Sequence, residues 1–127
     1  MANKTFDILG LIVEDTVVTD GDSTTGVEIT GVNIGSKSYV CAVKAQDLTG
    51  IFDLTNNYTV ALEVADLVGG AYALVGETRV LSDGTAEIGF TSEQLAQFGD
   101  AEFFRITTTK VGSTATGVTL TAFLSVI

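Results

Sequence analysis

The sequence predicts an all-β, single-domain protein, folded as an antiparallel β-sandwich with one short helix. A chain of 127 residues fits one domain, here residues 1–127, and is long enough to bury one hydrophobic core. Its 14 glycines lie mostly between short apolar runs, as turn residues do, and proline is absent. Within those runs apolar and polar residues alternate, which is the period of a strand with one buried face.

The first strand region is the apolar segment before Asp15. Its apolar residues would lie on both faces of a strand: Ile8, Leu9, Leu11, Ile12 and Val13. Such a segment must be covered on both sides. Two alternatives fit it: a central strand, or an N-terminal arm (residues 1–14) that packs on a neighbouring subunit. Thr16 to Val18 predicts one further short strand, and the stretch from Val27 to Ile34 predicts another.

The next two strands alternate clearly. In each, every second residue is apolar and is predicted to be buried: Tyr39, Cys41, Val43 and Ala45 in the first, and Tyr58, Val60, Leu62 and Val64 in the second. The residues between them, such as Lys44 and Glu63, are predicted to lie on the opposite face.

Two glycine turns follow. Gly69-Gly70 predicts a hairpin, and Asp83-Gly84 is the strongest hairpin signal in the chain. The strand between them is predicted to place Tyr72, Leu74 and Val80 on one side, opposite Glu77 and Arg79. After the second turn, apolar residues alternate again at Ala86, Ile88 and Phe90.

One short helix is predicted after that strand. Thr91 can accept a hydrogen bond as the N-cap residue, and Gln94 can complete a capping box. Leu95 and Phe98 form an apolar edge, and Gly99 fits the position after the last turn. About two turns of helix are too short to be stable alone, so this helix must pack on a sheet.

Two strands complete the pattern. Phe104 and Ile106 alternate with polar residues, and the last strand has an apolar face of Val118, Leu120, Ala122, Leu124 and Val126. Seven or eight short strands at this spacing predict a sandwich, either a plain one or a jelly roll. Phe123 to Ile127 adds apolar residues on the second face, which fit either an ordinary core strand or a contact with a partner.

Composition excludes several functions. The formal net charge is −10, with six Lys and Arg, and the chain has no His, no Trp and one Cys. Without His there is no Ser-His-Asp triad and no imidazole metal site, so we expect no enzyme, metal or cofactor. The acidic surface disfavours nucleic acid and anionic membranes as partners. No signal-peptide or membrane-spanning pattern occurs, so synthesis in the cytoplasm is expected.

Isolated features each have a plain structural explanation. The acidic cluster Glu14, Asp15, Asp20 and Asp22 could bind calcium, but the spacing of an EF-hand puts Gly31 where a Glu is needed, and a solvated turn fits better. Cys41 is expected to be a core thiol because no activating base is available. Asn57-Tyr58-Thr59 matches the glycosylation sequon, which we interpret as a chance match.

The aromatic residues Tyr39, Tyr58, Tyr72 and Phe52 could form a sugar-stacking platform.

Three segments of the second half carry a resemblance to a known family. Residues 58–64 (Tyr-Thr-Val-Ala-Leu-Glu-Val) form a strand, residues 103–109 (Phe-Phe-Arg-Ile-Thr-Thr-Thr) follow the short helix, and residues 116–124 join a Thr/Gly turn to an apolar strand. With a looser likeness from Thr19 to Ile29, they resemble the capsid cement, or head decoration, proteins of tailed bacteriophages.

The resemblance implies a structural virion protein, a β-sandwich or jelly roll bound to the outer surface of an icosahedral head. Such a protein is made in the host cytoplasm, forms a dimer or trimer, bridges major capsid proteins and needs no cofactor. We expect its interface at the arm, a turn and the helix: Phe6, Ile8, Leu9, Leu11, Ile12, Val13, Leu54, Asn56, Asn57, Leu95 and Phe98. The alternative is a carbohydrate-binding or adhesin-like sandwich on the virion or tail.

Overall fold

In the computed structural model, which describes residues 7–19, 23–32, 36–99 and 101–126, the chain forms eight strands and one short helix. The strands are β1 (Asp7–Val18), β2 (Val27–Glu28), β3 (Ser38–Gly50), β4 (Asn57–Ala65), β5 (Ala73–Val80), β6 (Gly84–Thr91), β7 (Phe103–Val111) and β8 (Ala115–Val126). The helix α1 (Ser92–Ala96) lies between β6 and β7.

The strands form two antiparallel four-stranded sheets, as expected for a sandwich. Sheet A has the order β1-β8-β3-β6, and sheet B has the order β2-β7-β4-β5. Eight strands distributed in this way between two sheets are the topology of a jelly roll. Of the two alternatives left open by the sequence, the strand order therefore selects the jelly roll.

The N-terminal segment is an edge strand from Asp7 onward, so the central-strand alternative is wrong, and an arm (residues 1–14) that packs on a neighbouring subunit stays a prediction. β1 pairs only with β8 in sheet A, and its register runs from Asp7 opposite Val126 to Val18 opposite Val118. Residues 16–18 are the end of this same strand. Three register shifts interrupt the pairing, and Asp15 has a φ of 46°. Irregular pairing of this kind, together with a charged side chain such as that of Asp15, protects an open sheet edge from pairing with another chain.

The core lies between the two inner faces, and the faces predicted to be buried are buried there, although Val40 and Ala42 on the opposite face of β3 are buried too. The buried faces predicted for β3 and β4, including Cys41, Val43, Val60 and Leu62, are each at most 3% exposed. β7 and β8 also bury their predicted faces, apart from half-buried Val126 at the end of β8.

An aromatic row crosses the core from one sheet to the other. The ring centroids of Tyr39 and Phe90, on neighbouring strands of sheet A, are 5.5 Å apart. Phe90 and Phe104 are 6.4 Å apart, and Phe104 belongs to sheet B. Offset aromatic pairs at this separation add attraction beyond that of simple burial. The row therefore fixes the two sheets against each other.

Only one of the two predicted hairpins is present. β4 and β5 are antiparallel neighbours in sheet B, and Gly70 N donates to Leu67 O over 2.9 Å in the turn between them. Asp83-Gly84, the stronger signal, makes a turn that leads from β5 in sheet B to β6 in sheet A. The prediction of a hairpin there is wrong, because a tight turn can also pass the chain from one layer of a sandwich to the other.

The predicted face of β5 is also wrong at Leu74. Leu62 is paired with Gly76, but Glu63 is paired with Leu74, so Val75 is an extra residue in β5. This bulge reverses the alternation, and Leu74 is 53% exposed while Val75 packs against the core. The sequence shows the alternation on each side of Val75 but not the bulge itself.

The helix is confirmed with its cap. Thr91 is the N-cap residue: its hydroxyl accepts from Gln94 N, and the Gln94 side chain accepts from Thr91 N over 2.8 Å. Gly99 follows the last turn with a φ of 73°. Leu95 is fully buried in the core, so the prediction of Leu95 as an interface residue is wrong for the folded chain.

The predicted strand from Val27 to Ile34 is reduced to the two residues of β2. Ile29 and Val32 are buried but lie outside any strand, and Ile34 is outside the described residues. Sheet B therefore has a very short strand at this edge.

Candidate functional site

The loop between β3 and β4 crosses one end of the sandwich and is held by its own backbone. Asp53 N donates to Asn56 O over 2.8 Å, and Asn56 N donates to Asp53 O over 3.2 Å. Ile51 N donates to Thr114 O over 2.8 Å, and the Thr114 hydroxyl donates to Ile51 O over 2.7 Å. Residues 51–56, called the β3–β4 loop below, are therefore attached to the connection between β7 and β8.

The carboxylate of Asp53 organises the turn. Its Oδ1 accepts from the Asn56 side-chain amide over 2.9 Å, from Thr55 N over 2.9 Å and from the Thr55 hydroxyl over 3.0 Å. These hydrogen bonds, first that of Asn56 and then those of Thr55, hold the pKa of Asp53 below its usual value. Because the folded pKa is lowered, the stabilisation is present above the ordinary carboxyl pKa. It is lost as the pH falls through the lowered value.

The side chains of Asn56 and Asn57 stabilise the loop through hydrogen bonds to backbone groups. Asn56 Oδ1 accepts from Ser113 N over 2.9 Å and from Thr114 N over 3.2 Å. Asn57 is fully buried, and its amide donates to Asp53 O over 3.0 Å and to Leu54 O over 3.2 Å. The prediction that Asn57 contacts a partner is wrong, because its side chain is inside the fold. The same burial keeps its sequon from a glycosylating enzyme in the folded chain.

A glycine allows the close approach of the two connections. Gly112 has a φ of 79°, which favours glycine. A Cβ at this position would lie 2.3 Å from Asn56 Oδ1 and 2.4 Å from Thr55 O. The β3–β4 loop therefore packs directly on the backbone of Gly112, a contact that the sequence did not predict.

The same loop exposes two large aliphatic side chains. Leu54 is 77% exposed at the tip, and Ile51 is 65% exposed at the start of the loop. Leu54 is among the interface residues predicted from the sequence, whereas Ile51 is not. Exposed apolar residues on a backbone that is already fixed are well suited to binding another protein, because little conformational freedom is lost on contact. Leu54 and Ile51 form what we call the loop tip.

The N-terminal residues predicted as interface divide into two groups. Ile12 and Val13 are 5% and 9% exposed within the chain's own core, so for them the prediction is wrong. Leu11 is 44% exposed and stays a predicted contact, as does half-buried Phe98. Three predictions cannot be placed: Phe6 lies outside the described residues, and so do the side chains of Ile8 and Leu9.

The aromatic platform predicted for sugar binding is not formed. Tyr39 and Tyr58 are buried, and the Tyr58 hydroxyl donates to Thr19 O over 2.8 Å. Tyr72 lies beneath the guanidinium of Arg105, whose Cζ is 4.0 Å from the ring centroid, and its hydroxyl donates to Val68 O. Phe52 is half-buried against Tyr58, with the ring centroids 5.9 Å apart. Each of these rings therefore has a structural role.

Cys41 is a buried thiol, as predicted. Burial raises its pKa to about 12, so the reactive thiolate is almost absent near neutral pH. We expect no reaction of the folded protein with a maleimide at pH 8, and complete reaction after denaturation. Thr85→Cys adds an exposed cysteine on the edge strand β6 and is the positive control. Rapid labelling of the folded wild type, followed by mass spectrometry, would contradict the assignment.

No set of three His, Cys, Asp or Glu side chains suited to a metal ion occurs in the part of the chain that the structure describes. Glu14 and Asp15 are exposed on β1, whereas Asp20 and Asp22, named as calcium candidates, lie outside the described residues. No helix in those described ranges has the length and apolar character needed to cross a membrane.

Comparison of the chain with models of protein families, with curated proteins and with solved structures finds no match. Its class is therefore defined by the fold and the site: a jelly-roll domain that presents an apolar tip on a fixed loop.

Proposed function

We propose that this protein is a capsid cement protein, which binds the outside of a bacteriophage head and stabilises contacts between major capsid proteins. The observation that carries the proposal is the loop tip: Leu54 and Ile51 are exposed on a loop whose conformation is already fixed. The jelly roll supports it more weakly, since this fold also serves lectin domains. The partners proposed are the major capsid protein and further copies of this chain, as a dimer or trimer.

A contact as small as the loop tip is sufficient for a protein that acts in this way. A cement protein acts by mass action, because binding only to the assembled shell stabilises that state. Each contact can be weak when symmetry repeats it and an oligomer engages several shell subunits together. Before assembly the protein must stay dissolved, and a net charge of −10 opposes aggregation. We place it on the outer surface of the virion after synthesis in the host cytoplasm.

The first test is quantitative mass spectrometry of purified particles. We expect the ratio of this chain to the most abundant shell protein to be one, or a simple fraction of one, as a capsid lattice requires. A few copies per particle, or none, would reject the cement function. Saturable binding to a glycan array would then favour the adhesin-like alternative.

A substitution at the loop tip tests the site separately. Leu54→Asp is expected to weaken binding to expanded shells by about tenfold or more, since a charge would be buried at the contact. The matched control is Leu67→Asp, because Leu67 is 65% exposed in the turn after β4, at the opposite end of the sandwich. Binding is measured by co-sedimentation of the chain with shells that lack it. Equal binding of the wild type and both variants would show that the loop tip is not the docking site.

A further inference from the structure

A cleft opens at the side of the sandwich where the edges of the two sheets face each other. Its volume is about 490 Å³, within the range of about 300–1,000 Å³ that is typical of small-molecule sites. It lies away from the β3–β4 loop residues, since none of residues 51–56 lines it. The cleft is thus a second candidate site, independent of the loop tip.

The shortness of β2 explains why the cleft is there. β2 pairs only with Phe103 and Phe104 at the start of β7. Beyond that pair, Thr24 continues beside β7, its N donating to Ile106 O over 2.9 Å and its hydroxyl accepting from Ile106 N over 3.0 Å. Sheet B therefore lacks a full strand opposite β1, and the space between the sheets stays open on this side.

The walls of the cleft are aliphatic and its remaining lining residues carry hydroxyl groups. Four strands contribute described lining residues, β1 and β8 from sheet A and β2 and β7 from sheet B, and the segment before β2 adds three more. The aliphatic residues include Ile12, Val18, Val27, Ile106 and Leu120. The hydroxyl residues are Thr16, Ser23, Thr24, Thr25 and Thr108. Apolar walls with a few polar groups are the usual composition of a site for a small organic molecule.

Charge narrows the class of ligand. None of the lining residues that the structure describes is charged, so among them an ionised group inside the cleft would lose its hydration without gaining a charged partner. Glu14 and Asp15 are exposed on β1 between the lining residues Val13 and Thr16, and they repel anions. We propose that this cleft binds an uncharged, largely apolar small molecule.

Titration with the neutral fluorescent dye N-phenylnaphthylamine tests the proposal. We expect saturable binding with one site per chain, and weaker binding of the related sulfonated dye anilinonaphthalenesulfonate, which is an anion. The bound dye is expected to shift the methyl NMR signals of Ile106 and Leu120. No saturable binding of the neutral dye by the folded wild type would overturn the proposal.

Two valine substitutions locate the dye. Val27→Phe fills part of the cleft and is expected to weaken dye binding by about tenfold or more. Val17→Phe adds the same atoms on β1, where Val17 is 65% exposed and does not line the cleft, and is expected to change binding by less than about twofold. Circular dichroism checks that each variant is folded, and Thr16→Phe replaces Val27→Phe if the latter is not. A folded cleft variant that binds like the wild type would place the dye elsewhere and overturn the assignment.

Discussion

Replacing Phe104 by alanine is expected to lower the free energy of unfolding by about 3–5 kcal/mol. Phe104 is fully buried and ends the aromatic row that joins the sheets through Phe90 and Tyr39. Truncation to alanine removes its burial and leaves a cavity between the layers that neighbouring strands cannot close. A domain of this kind has a total stability of about 5–15 kcal/mol, so the loss is expected to be a large fraction of that stability.

Chemical denaturation followed by fluorescence or circular dichroism measures this loss. Phe104→Leu keeps most of the buried volume and is expected to cost less than half as much. Leu74→Ala is the surface control, because Leu74 is 53% exposed, and its effect is expected to stay within about 0.5 kcal/mol. If Phe104→Ala were no more destabilising than Leu74→Ala, the described packing between the sheets would be wrong.

Gly112→Ala is expected to displace the β3–β4 loop. The new Cβ would meet Asn56 Oδ1 and Thr55 O at 2.3 and 2.4 Å, and the backbone is already at a φ of 79°. Relief of this overlap requires Asn56 to give up its hydrogen bonds to Ser113 and Thr114. We expect a loss of about 2–4 kcal/mol in unfolding free energy, from overpacking together with the left-handed backbone. Shell binding through the loop tip is expected to fall as well.

Gly31→Ala separates the cost of the left-handed backbone from the cost of the overlap with the loop. Gly31 has a φ of 84°, but a Cβ there has no neighbour within 4 Å among the residues that the structure describes. This control is therefore expected to show only the backbone cost, about 1–2 kcal/mol. Amide hydrogen exchange of residues 51–56 reports the loop directly, and faster exchange is expected for Gly112→Ala alone. Equal stability losses and unchanged exchange in both variants would show that the loop does not depend on the contact with Gly112.

The regular part of the fold could be predicted from the sequence because it follows from alternation and local capping. β3, β4 and β8 bury one predicted face, and Thr91 with Gln94 caps the helix as expected. These features depend on residues close together in the chain, where the period of the side chains and the hydrogen-bonding groups are visible.

The wrong predictions concern features that depend on pairing between segments far apart in the chain. Asp83-Gly84 is the sequence of a tight turn, but only the pairing of β5 with β4 and of β6 with β3 determines that the turn joins two sheets. The apolar segment of β1 has two apolar faces, yet its place at the edge depends on β8. In the candidate site, Leu54 was predictable from its turn, whereas the contact of Asn56 with residues 113 and 114 was not, since it spans more than 50 positions.

The pairing of β1 with β8 has a consequence for biosynthesis. Val18 pairs with Val118, and β1 has no other neighbour in sheet A, so this strand has no pairing partner until about 100 further residues have been made. At roughly 5–20 residues per second, the delay is on the order of 5–20 s. During that interval an apolar strand is exposed on the ribosome, and Glu14 and Asp15 act as charged gatekeepers against aggregation. The two sheets can close only late in synthesis, so chaperones that bind nascent apolar segments have their longest opportunity at β1.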